Sequence, residues 1–83
     1  MSHPITLAQQ AAHYAQARDN AVAALPALIA EREAAEAAWA ERKGAVRMWN
    51  AREAVDRQHR HIARMTREAE THKLLVELAS YKR

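Results

Sequence analysis

The chain has 83 residues, which allows a single domain spanning 1–83. One Gly, two Pro and no Phe leave little material for turns or sheets, and 21 of its hydrophobic residues are Ala against only 16 Leu, Ile, Val and Met. The net charge of +3 permits an anionic partner without demanding one, and the absence of Cys removes disulfide and thiol chemistry.

Ala, Glu, Arg, Gln and Leu lose little rotamer freedom in a helix, so this alphabet predicts an all-α fold. No apolar run approaches the ~20 residues of a membrane span. The opening Met1-Ser2-His3-Pro4 lacks the basic region and apolar stretch of a signal peptide. A cytoplasmic protein with no membrane contact is therefore expected.

A first helix is expected from Thr6 to Lys43. Thr6 and Gln9 have the spacing at which hydroxyl and amide each satisfy an orphan backbone N–H. Leu7, Ala11, Tyr14, Ala21, Leu25, Leu28, Ala35 and Trp39 then form an apolar stripe, interrupted by Arg18 and Arg32. Pro26 removes the N–H that would bond the Val22 carbonyl. It predicts a kink, with a break into a three-helix bundle as the alternative. Gly44 suits the left-handed residue that closes a helix.

A second helix is expected from Ala45 or Asn50 to Tyr81. Met48, Ala51, Val55, Gln58, Ile62, Met65, Ala69, His72, Val76 and Ala79 advance by alternating steps of three and four, a coiled-coil seam, widened by Leu75 and Leu78. The seam of helix 1 loses phase at Gly44, which predicts a long antiparallel hairpin with arms of matched length. A turn centred on Gly44 sets Glu41 against Arg47, Glu36 against Arg52, Glu31 against Arg57, Arg18 against Glu70 and Leu7 against Tyr81.

A core this poor in large side chains gives a chain of this size only about 3–5 kcal/mol. Further support is expected from close Ala contacts and from self-association, as a homodimer forming a four-helix bundle, or from another partner. This architecture is similar to that of small hairpins that dimerise into four-helix bundles, some of which bind RNA.

Catalysis is not expected. There is no phosphate-binding Gly loop and no nucleophile elbow, and the only Ser residues, Ser2 and Ser80, lie in the terminal regions. No cofactor, metal or small-molecule substrate is expected either. His61, Met65, Glu68 and His72 share one helix face, but His61 and His72 stand about 16 Å apart along the axis, too far for one ion. In the seam, Gln58 and His72 either fix register or sit at its edge.

The strongest functional signal is basic. Residues 42–67 hold Arg42, Lys43, Arg47, Arg52, Arg57, Arg60, Arg64 and Arg67 against Glu53 and Asp56. Glu31, Glu33, Glu36 and Glu41 are placed to neutralise Arg47, Arg52 and Arg57, whereas Ala21 to Leu28, opposite the others, carries no charge. A positive patch of Arg60, Arg64 and Arg67, with His59 and His61, is expected to survive on the face that Arg57 shares, and these residues, Arg57 included, are the expected partner-binding set. The bland reading is a solvated helix face. A second patch is expected at the turn, where Val46, Met48 and Trp49 lie near Trp39. Its bland reading is that both Trp rings cap the core.

These features predict a non-enzymatic protein-binding module that docks an acidic protein surface through its basic face. An adaptor, a chaperone-like escort or an inhibitor of host machinery encoded by a phage or other mobile element would fit. The second choice is a hairpin dimer that binds RNA or DNA, against which stand the modest net charge and the scarcity of aromatics for base stacking. The third is a structural component of a larger assembly.

Overall fold

The computed structural model describes residues 6–81, which form two helices, α1 (Leu7–Ala40) and α2 (Ala45–Tyr81), packed against each other as an extended hairpin. α1 starts where the capping pair places it. The Gln9 N–H donates to the Thr6 Oγ1 at 3.1 Å and the Thr6 N–H to the Gln9 Oε1 at 2.9 Å. α2 starts at the earlier of its two expected positions, so Asn50 lies inside the helix rather than capping it.

Helix α1 stays unbroken through Pro26, and the three-helix alternative is not formed. Pro26 and Val22 both face solvent, so water is free to take the carbonyl that loses its amide partner.

The first helix closes earlier than Lys43. Arg42 takes up the left-handed conformation at φ 60°. Its N–H donates to the Trp39 carbonyl at 2.7 Å, and the Lys43 N–H to that of Ala38 at 3.1 Å. This pair of bonds is a Schellman closure with Arg42 in the place where Gly is usual. Gly44, at φ 73°, serves the other side of the turn, where its carbonyl accepts the first bond of α2 from the Met48 N–H at 3.0 Å. The turn therefore centres between Arg42 and Lys43, not on Gly44.

The ion pairs across the hairpin do not follow a single register. Arg52 reaches Glu36 at 3.6 Å as expected, but Arg47 pairs with Glu31 at 2.7 Å in place of Glu41, which leaves Arg57 without Glu31. Arg18 turns to its neighbour Asp19 at 3.1 Å instead of Glu70.

The seam of α2 falls where its steps of three and four put it. Met48, Ala51, Val55, Met65 and Ala69 are buried, with Ala21 and Ala35 facing them from α1. Gln58, Ile62, His72 and Val76 are half-buried along the same line. Leu75 and Leu78 do not widen the core. They are 40% and 58% exposed, because the facing helix offers only one stripe and no third element covers their flank.

The result is a slab of 64 × 29 × 15 Å. Its radius of gyration is 18.6 Å, where a compact chain of this length has about 12 Å. Its surface is 6556 Å², where a globular protein of this mass exposes about 5,000 Å².

Met65→Ala should cost about 2–5 kcal/mol and Ile62→Ala, only half-buried, about 2 kcal/mol or less, read as loss of melting temperature by circular dichroism. At the turn, Arg42→Gly should stabilise by roughly 1 kcal/mol and Gly44→Ala destabilise by a similar amount. A Cβ at Gly44 meets only Arg47 Cβ at 3.6 Å, so backbone conformation alone sets that cost.

Candidate functional site

The α2 seam points at α1, so residues half a turn away point out of the hairpin. Arg57, Arg60, Arg64 and Arg67 follow one another at steps of three, four and three on that outer face, and all four are exposed. With Gln58 and His61 they line a shallow groove along the middle of the helix.

Their charges are unequally balanced. Arg60 reaches back to Glu53 at 3.1 Å. Among the described residues no carboxylate lies within ion-pair distance of Arg57, Arg64 or Arg67. Arg64 lies 3.4 Å from the His61 Nδ1. The part of α1 behind this region, Ala21 to Leu28, offers only apolar side chains and a backbone acceptor. Gln58 uses that acceptor, its Nε2 donating to the Ala21 carbonyl at 2.8 Å.

The two polar seam residues thus both engage α1. The His72 ring lies over Tyr14, centroids 4.6 Å apart. Its Nδ1 sits 2.7 Å from the Glu68 carbonyl, a bond that requires the proton on Nδ1. Among the described residues no three His, Asp or Glu side chains converge as a metal ligand set would. His59 is exposed but does not line the groove with the arginines.

The expected patch at the turn divides. Met48 is 3% exposed and packs with Ala35 and Ala51, so it belongs to the core and not to a docking surface. Its position in the α2 seam already required this. Trp39 and Trp49 do not cap the core. They are 42% and 63% exposed, beside Val46 at 72%, and Arg52 stands over the Trp49 ring at 5.6 Å.

One set of surface residues escaped the sequence reading. Continued by steps of four and three, the arginine line runs through Thr71, Leu74, Leu78 and Tyr81, all exposed. Leu74, Leu78 and Tyr81 are 58%, 58% and 85% exposed. The period that marked the arginines, extended past Arg67, would have found them. The outer face of α2 is therefore one stripe, basic in the middle and apolar toward Tyr81.

Comparison with protein-family models, with curated proteins and with solved structures finds no match to this chain. No helix among the described residues is long and apolar enough to cross a membrane.

The Arg47–Glu31 fork has a titration signature. The Arg47 guanidinium donates to both Glu31 oxygens, at 2.7 and 3.2 Å. Its hydrogen bonds lower the Glu31 pKa, with the charge attraction adding and desolvation opposing. A depressed carboxyl stabilises the fold above its unfolded-state pKa, and that contribution fades as acid carries the pH down through the folded value. NMR titration should find Glu31 below the ordinary carboxylate range, and Arg47→Met should return it there.

Proposed function

We propose that this chain is a small non-enzymatic protein-binding module whose outer α2 face docks an acidic surface of another protein, in the manner of an adaptor, inhibitor or escort. The observation that carries this reading is the line Arg57, Arg60, Arg64 and Arg67, which points away from the hairpin with three members free of any carboxylate among the described residues. Exposed guanidinium groups are suited to forked bonds with carboxylates.

Nucleic acid is the weaker occupant. Phosphate tracking favours a long stripe of one sign, because each neutralised phosphate releases counterions. Here the basic segment is bounded. Glu53 precedes it, Asp56 and Glu70 lie beside it, and the same line turns apolar at Leu74. The exposed aromatic side chains Trp39, Trp49 and Tyr81 stand at the two ends of the hairpin, away from the arginines.

Arg60→Glu with Arg64→Glu should leave the helical circular dichroism unchanged and abolish capture of a protein partner from a lysate of the native host. The same pair of proteins should be titrated with generic duplex DNA and RNA at physiological salt. Submicromolar binding that the double variant loses would make this a nucleic-acid-binding protein instead.

A further inference from the structure

The hairpin carries a second stripe that fits its first. On the flank of α1, beside the seam, Asp19, Val22, Pro26, Ile29, Glu33, Glu36 and Ala40 advance by steps of three and four. Glu33 is exposed and, among the described residues, in no ion pair. Glu36 is held only loosely, by Arg32 at 3.4 Å and Arg52 at 3.6 Å. Val22 is 49% exposed and Pro26 lies bare next to it. This flank is thus apolar first and acidic second.

The outer stripe of α2, taken from its far end, runs Tyr81, Leu78, Leu74, Thr71, Arg67, Arg64, Arg60, with the same alternation of three and four. Two helices laid antiparallel meet residue for residue only when their steps match in this way. Set side by side, Leu78 meets Val22, Leu74 meets Pro26, Thr71 meets Ile29, Arg67 meets Glu33 and Arg64 meets Glu36. Leu78 and Leu74 fall on apolar groups and the unpaired Arg67 and Arg64 fall on carboxylates, while the same register sets Tyr81 against Asp19, Arg60 against Ala40 and Arg57 against Lys43.

We propose that the occupant of the outer α2 face is the α1 flank of a second copy of this chain, docked antiparallel with Arg67 on Glu33 and Leu78 on Val22. The proposal rests on the reading of that face as a protein-docking surface and names its partner. Charge complementarity at Arg67–Glu33 and Arg64–Glu36, next to the apolar matches of Leu78 with Val22 and Leu74 with Pro26, supports it. So does the surface, since the hairpin exposes 6556 Å², about 1,500 Å² more than a compact chain of its mass, while a stable interface takes about 800 Å² from each partner. An anionic membrane is a poorer occupant, because Glu70 and Glu77 border the apolar half of the stripe with Lys73 alone between them, where a lipid-binding helix carries a run of Lys and Arg.

The two stripes are different surfaces on different helices, so the contact is heterologous. A copy that has used one stripe still offers the other, and assembly proceeds to a ring if the rotation closes or to a filament if it does not.

The test is sedimentation of the full chain from micromolar to millimolar concentration, with circular dichroism as the check on folding. Wild type should self-associate. Arg64→Glu with Arg67→Glu should weaken self-association about tenfold or more, and so should Glu33→Arg with Glu36→Arg. Mixing the two double variants should restore it, because each then supplies the stripe that the other has reversed. Glu36 also serves the hairpin itself through Arg52, so Arg67→Glu and Glu33→Arg, singly and mixed, repeat the test with side chains that make no ion pair inside the chain. Leu74→Ser with Leu78→Ser should weaken association without loss of helix. A monomer at every concentration, or association that ignores the reversals, or reversals that mixing does not rescue, would overturn the proposal. Loss of a captured host protein by Arg60→Glu with Arg64→Glu, in a chain that stays monomeric, would leave the docking face standing and remove only the second copy.

Discussion

Everything in this molecule follows from how little side chain separates its two helices. The buried positions are four Ala, two Met and one Val. Small residues let helix axes approach closely, so that dispersion contacts between near-backbone atoms replace the interlocking of large side chains. The seam that results is narrow. Each helix contributes one stripe and keeps most of its circumference in water, and that geometry sets the flat shape, the large surface and the exposure of Leu74, Leu78 and Trp49. A wider core would have gathered those side chains inward and left no face to dock anything.

A narrow seam of small residues specifies register poorly, since one Ala is much like the next. Polar contacts do part of that work. Gln58 reaches across to one particular backbone carbonyl, that of Ala21, and His72 lies against one particular ring, that of Tyr14. Near the turn, the Arg47–Glu31 fork and the Arg52–Glu36 pair add two more fixed points. All four join one helix to the other at points spaced along the hairpin, and sliding one helix past the other would break each of them.

The sequence made the seam of α2 and the Thr6 capping pair legible because both are strictly periodic or strictly local, and each depends on residue types with few alternatives. The ion pairs were less legible. Arg and Glu side chains are long enough to choose among several partners, and Arg47 takes Glu31 where the turn-centred register offered Glu41. The position of the turn was hidden too. Arg42 holds a left-handed conformation usually left to Gly, and nothing in an arginine announces it while a glycine stands two residues away. The basic face was legible as charge, but its continuation into Leu74, Leu78 and Tyr81 was not, because Leu75 and Leu78 read equally well as a broader core. Only the narrowness of the facing helix decides between those readings.

The cluster of Ala35, Met48 and Ala51 lies immediately beyond the turn. Closing that contact loops out few residues and costs little chain entropy, whereas Leu7 and the end of α2, which line one groove, are separated by almost the whole chain. Closure from the turn toward the open end is therefore the order of assembly that costs least chain entropy at each step. Opening runs the other way. Amide protons of α1 near Leu7 and of α2 near Tyr81 are expected to exchange with solvent through fraying that leaves the turn end intact, with protection climbing toward Met48. Such a hairpin loses its ends long before it loses its fold.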